Sequence, residues 1–203
     1  MKQRRQRMAM WIIIAALVLS LLVGLAVPME RLQGKGWPAR AVGYPLSAIV
    51  MGTIWFFQGR KETFPYVPTA LLVTPFVLDL LGNLFGWFDN IRNFDDGLHF
   101  VNWMFLCAAF VAMIHPGVAA PWNRIALGTG FGASAIIFWE LLEYFIMKSG
   151  TSGLHLTYED TVSDLLLSFL GGLVGSFVID RIATKNLESD FVVSQVEKQQ
   201  RPK

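Results

Sequence analysis

Apolar residues in this chain fall in long blocks separated by short polar stretches. Six blocks stand out, at about residues 8–28, 42–59, 67–88, 98–115, 125–147 and 161–183. A hydrocarbon layer about 30 Å thick takes about 20 helical residues to cross, and each block is near that length. The pattern predicts an all-α polytopic membrane helix bundle with six transmembrane helices. The second block is the weakest, because Pro45 sits near its start and polar residues flank it closely. Residues 1–185 are expected to form a single transmembrane bundle, and 186–203 a polar, mobile cytoplasmic tail.

The first block follows a basic segment and carries Gly24-Leu25-Ala26, which loosely resembles a signal-peptide cleavage site. Its length exceeds an ordinary signal core and more spans follow, so an uncleaved first helix is the preferred reading. The connections are short. Residues 29–41 hold Gly34, Gly36 and Pro38, 59–68 and 116–123 make tight turns, and 148–160 hold Gly150 and Gly153.

Composition agrees with this picture. Hydrophobic residues make up 54% of the 203 and charged residues only 16%, the balance of a membrane protein rather than a soluble enzyme. A net charge of +2 is too small to imply a nucleic-acid partner. The lone cysteine, Cys107, excludes an intramolecular disulfide. With both termini in the cytoplasm, twelve Lys and Arg fall on the inner side (Arg4, Arg5, Arg60 and Arg124 among them). Five fall outside, namely Arg31, Lys35, Arg40, Arg92 and Lys148. This asymmetry predicts a membrane protein with both ends in the cytoplasm.

The polar residues inside the blocks carry the chemistry. On this topology Asp79 and Asn83, then Asp95, Asp96, His99 and Asn102, then Glu140 and Glu143, then Asp160 and Asp164 all fall in the outer half of the bundle. Asp79/Asn83, Asp95/His99 and Asp160/Asp164 are spaced i,i+4, and Glu140/Glu143 i,i+3, so each pair shares a helix face. A charge at a helix centre in lipid costs roughly 2.5–3.5 kcal/mol on insertion scales. Seven carboxylates and one imidazole therefore call for protons or a bound cation. Arg92 is the nearest expected internal counter-ion. A divalent metal held by carboxylates and His99 would fit, and the donor types suit Mn, Fe, Zn or Mg. Hydrogen-bonding glue between helices and proton or cation handling are the alternatives. His155 is a further possible ligand, read more readily as a surface residue.

Two other patterns are read as structural. Gly128/Gly132 and Gly171/Gly175 mark faces for close helix packing. Trp37, Trp87, Trp103 and Trp122 are expected at the membrane interfaces.

Three elements carry a family likeness: Phe94-Asp95-Asp96-Gly97-Leu98-His99, Trp139-Glu140-Leu141-Leu142-Glu143-Tyr144 and Asp160-Thr161-Val162-Ser163-Asp164. In this order they resemble the Tyr-Asp-x-x-x-His, Trp-Glu-x-x-Glu and Asp-Thr-x-x-Asp elements of the YjdF-like family of bacterial inner-membrane proteins, over about residues 75–178. The chain departs at Phe94, where that family more often has Tyr, and at Asp96, where a basic residue is common. A more distant similarity is to VanZ-like proteins, linked to glycopeptide resistance. The resemblance implies a fold and a site but no reaction.

These readings lead to one expectation with two alternatives. The expected site has His99, Glu140, Glu143, Asp160 and Asp164 as metal ligands. Asp95 and Asp96 are the catalytic carboxylates, with Asp95 hydrogen-bonded to His99. It would serve a metal-dependent enzyme acting on a lipid or lipid-linked phosphate in the bilayer. The alternatives are a small proton- or cation-coupled transporter, for which no polar path toward the cytoplasm is evident, and a non-catalytic VanZ-like resistance or binding protein.

Overall fold

The computed structural model describes residues 2–60, 63–148 and 157–200, with side chains described as far as Asn186. The chain is all-α. Its helices are α1 (Lys2–Ala26), α2 (Trp37–Phe57), α3 (Tyr66–Phe85), the single turn α4 (Trp87–Asn90), α5 (Phe94–Ile114), α6 (Pro121–Lys148) and α7 (Tyr158–Gln200). Among the described residues six of these are long and apolar enough to cross a membrane, all but α4. The loop holding Gly150, Gly153 and His155 lies outside the described residues.

Several helices begin earlier than hydropathy suggests. α2 starts at Trp37, with Pro38 in its first turn and Gly36 before it at φ 63°, so Arg40 is helical. α5 starts at Phe94, after Asn93 at φ 58°, and takes Asp95 and Asp96 into its first turn. Carboxylates there face the positive end of the helix dipole. Hydropathy trims charged residues from a span, whereas the backbone needs only a start signal and a partner for the charge. The same reasoning extends α6 back over Arg124. α7 continues beyond the expected end of its span to Gln200. Pro45 and Pro75 lie inside α2 and α3, as packed transmembrane helices tolerate.

The bundle has two packed centres. In the first, Leu17 and Leu21 of α1 and Tyr44 of α2 meet Val73, Val77, Leu80 and Leu84 of α3. In the second, Trp103 and Cys107 of α5 pack on Ile136 of α6, with Leu165 of α7 against them. Glycines set the spacing of the second centre. A Cβ on Gly171 or Gly175 would run into the carbonyl oxygen of Phe100 or Met104, so α7 lies on the bare backbone of α5. A Cβ on Gly128 would strike Val111 and Ser176, and one on Gly132 would strike the Cys107 sulfur. The two glycine pairs thus serve the packing expected of them.

The tryptophans divide. Trp122 is 71% exposed, but Trp37 and Trp103 are 5% exposed and belong to the packed centres. For those two the interfacial expectation is corrected. Trp37 fills the space beside Gly24 of α1, and the Trp103 indole N–H donates to the Gly132 carbonyl at 3.0 Å.

Candidate functional site

The close contact of α5 and α7 brings His99 against Asp164 and Ser168. His99 Nε2 lies 3.6 Å from Asp164 Oδ1 and 3.9 Å from Asp95 Oδ1. One ligand atom from each of Asp95, His99 and Asp164 can be chosen so that all lie within 4.8 Å of one another. This is the one such group among the described residues. His99 and Asp164 are buried, while Asp95 is exposed at the mouth.

The hydrogen bond expected between Asp95 and His99 is not made at 3.9 Å. The other ring nitrogen, His99 Nδ1, lies 3.1 Å from Ser168 Oγ. With the proton on Nδ1 donated to Ser168, Nε2 presents a lone pair toward the two aspartates. The ring also stacks on Trp103, with centroids 5.4 Å apart and planes 12° from parallel. Through the Trp103 bond to Gly132, all three of α5, α6 and α7 hold the imidazole in place.

The other expected residues surround this trio. Glu140 is 8% exposed, and neither of its carboxylate oxygens has a hydrogen-bond partner; Asp164 Oδ1 is likewise buried and unpartnered. Asp95, Glu140, Glu143 and Asp160 are all within electrostatic reach of Asp164. Asp96 stands to one side, where its Oδ1 accepts from the Ser163 hydroxyl at 2.9 Å. The described residues therefore bring Asp95, His99 and Asp164 to ligand spacing, with Glu140, Glu143 and Asp160 close enough to act on Asp164 electrostatically but outside that group.

Asp79 does not share in this uncompensated charge. Arg40 Nε donates to its Oδ2 at 2.9 Å, and the Tyr44 hydroxyl donates to the same oxygen at 2.7 Å. The Asn83 amide bonds the Asp79 backbone carbonyl at 2.9 Å. Arg40, whose guanidinium also donates to the Lys35 carbonyl, is the internal counter-ion, and Arg92 is exposed. Arg40 lay outside the expected second span, so a partner across helices could not be read from hydropathy.

A second polar cluster lies at the opposite end of the bundle. Arg124 and Asp180, both buried, form an ion pair through Nε and Oδ1. Arg124 Nη1 also donates to the Val118 and Ala119 carbonyls, at 2.6 and 2.8 Å. His115 Nε2 lies 4.0 Å from Asp180 Oδ1 and 3.3 Å from Thr184 Oγ1. Sequence reasoning passed over this cluster, yet a signal existed. Residues 160, 164, 168, 172, 176, 180 and 184 read Asp, Asp, Ser, Gly, Ser, Asp, Thr, a four-residue repeat whose neighbouring members adjoin one another as the row winds slowly around the helix. Asp164, Ser168, Ser176 and Asp180 are all at most 2% exposed, so the expectation that polar groups stop in one half of the bundle is corrected.

An all-helical chain with six spanning helices and buried carboxylates between them is an integral membrane protein. The match of residues 5–185 to the family described as "Predicted membrane protein (DUF2238)" goes further, and the chain belongs to that family. No curated protein and no solved structure matches it.

Proposed function

We propose that Asp95, His99 and Asp164 hold a divalent cation, in a bacterial inner-membrane enzyme that acts on a lipid or lipid-linked phosphate. The supporting observation is the trio's ligand atoms within 4.8 Å, beside buried carboxylate oxygens on Asp164 and Glu140 that lack partners. Unpartnered buried anions are costly, and a cation offsets that cost directly. The donor set fits such an ion, with one imidazole whose Nδ1 is engaged by Ser168 and oxygen donors from two or more carboxylates. Asp160, Glu140 and Glu143 are the anionic neighbours that could complete the set. When bound, the ion supplies Lewis-acid polarisation of a phosphoryl oxygen. Asp96, held by Ser163 and outside the trio, is the candidate general base. The Lys and Arg distribution supports a site in the extracytoplasmic half, with residues 186–203 as a cytoplasmic tail. The three sequence elements support a YjdF-like membership within the wider family, with VanZ-like proteins a more distant likeness.

Metal analysis of protein purified without chelators tests this reading. The expected result is about one equivalent of a divalent metal, lost in both His99→Ala and Asp164→Asn. Wild-type protein that takes up no divalent ion would overturn it.

One observation favours a second reading, a proton- or cation-coupled carrier. The buried line from Asp164 through Ser168 and Ser176 to Asp180 runs toward the far end of the bundle. The line is interrupted at Gly172, where the Cys107 sulfur lies 2.9 Å from the position a Cβ would take. Flux into proteoliposomes that disappears with Asp164→Asn would favour the carrier, and flux equal to that of empty liposomes would exclude it.

A further inference from the structure

The core formed by α5, α6 and α7 carries the same arrangement of side chains near both ends, with sixteen residues, about 24 Å, between the two on each helix. Helix α6 runs antiparallel to α7. Arg124 pairs with Asp180, a Cβ on Gly128 would strike Ser176, and one on Gly132 would lie 3.8 Å from the Gly172 Cα. Each step of four residues forward on α6 thus matches a step of four back on α7. Two further steps bring Glu140 to the level of Asp164, on which it acts electrostatically. Helix α5 runs parallel to α7. His99 lies beside Asp164 and reaches Ser168, and His115 lies beside Asp180 and reaches Thr184, with 69 positions between imidazole and hydroxyl in both cases.

The two ends differ in what α6 contributes. At the far end it supplies a cation. The Arg124 guanidinium bonds Asp180 Oδ1, the oxygen that faces His115 Nε2 at 4.0 Å. At the trio's end it supplies a second carboxylate. Asp164 Oδ1, which faces His99 Nε2 at 3.6 Å, has no hydrogen-bond partner, and neither does either Glu140 oxygen. Asp164 and Glu140 are 2% and 8% exposed, whereas Glu143, the other acid on α6, is only partly buried. Two buried anions facing each other are costly, and among the described residues no side chain plays here the part that Arg124 plays at the far end.

We infer that the trio's cation takes the place that the Arg124 guanidinium takes at the far end, with Glu140 as its ligand from α6. The ion then clasps α6 to α7 and closes one end of the core as the Arg124–Asp180 pair closes the other. The inference rests on the cation-site reading and adds to it the choice of Glu140 over Glu143 and a mechanical role for the ion. Backbone contact cannot serve that role. Helix α6 lies close on its neighbours at Gly128 and Gly132, but beyond Gly132 it has no glycine to bring its backbone that near again.

Metal content and thermal unfolding of the full chain in detergent test the inference, with manganese(II) or zinc(II) added alone or removed by a chelator. Wild type should melt higher with the ion than with the chelator. Glu140→Gln should lose that increment and at least about 100-fold in ion affinity, the upper end of the cost of losing a group that only orients a ligand. Glu143→Gln should keep both. Glu140→Arg should take up no ion and, in chelator, should melt above wild type, because a guanidinium from α6 then meets Asp164. The comparison of Glu140→Gln with Glu143→Gln decides the matter without the arginine variant. Ion uptake and stabilisation in Glu140→Gln equal to those of wild type, with both lost in His99→Ala, would overturn the clasp and leave the cation site standing. A wild-type chain that takes up neither ion would remove both.

Discussion

The Arg124–Asp180 pair permits a sharp energetic test, because its two side chains are only 5% and 1% exposed. Arg124→Met removes the guanidinium from Asp180 and from the Val118 and Ala119 carbonyls. Asp180 Oδ2 already lacks a partner, and His115 at 4.0 Å is too distant to replace a direct hydrogen bond. A charge left alone in such a place costs about 3–5 kcal/mol, a change of more than about 100-fold in the folding equilibrium. Neutral hydrogen bonds between membrane helices average about 0.6 kcal/mol, so the two outcomes are well separated. Replacing both residues, as Arg124→Met with Asp180→Leu, removes the stranded charge and should restore most of the loss. Reversible unfolding in mixed micelles, for the two single variants and the double, measures the coupling directly. If each single change costs under about 1 kcal/mol and the two add, the pair is solvated in the membrane and the reasoning fails.

Other outcomes follow from the same packing. Gly171→Val would place a Cβ 2.8 Å from the Phe100 carbonyl carbon, against an ordinary contact of about 3.5–4.0 Å. α7 must then move off α5, at a cost of about 1–3 kcal/mol in thermal unfolding and with loss of cation uptake. Trp103→Phe keeps the ring beside His99 but removes the bond to Gly132. Divalent-ion affinity should fall about 10-fold, with unfolding free energy lowered by about 1 kcal/mol. Arg40→Met should lower stability by about 1–3 kcal/mol and leave metal content unchanged, because Asp79 is not among the three residues at ligand spacing. Fusion reporters test orientation. Green fluorescent protein at either terminus should fluoresce and alkaline phosphatase there should stay inactive, the reverse result placing both ends outside.

Much of this protein was determined by the order of its residues alone. The number and approximate place of the spanning helices follow from block hydropathy, since every backbone polar group in lipid must be satisfied within a helix. The glycine pairs Gly128/Gly132 and Gly171/Gly175 also announced their packing role through spacing. The i,i+4 relation of Asp95 and His99 is local helix geometry, so it too was open to reading. What tertiary structure decided is which charges meet. Arg40 reaches Asp79 across 39 positions, Arg124 reaches Asp180 across 56, and Ser168, not Asp95, hydrogen-bonds the His99 ring across 69. Helical periodicity tells which residues share a face, but not which face of another helix it will meet. That choice depends on how closely two backbones can approach, and here Gly171 and Gly175 settle it by letting α7 lie directly on the carbonyls of α5.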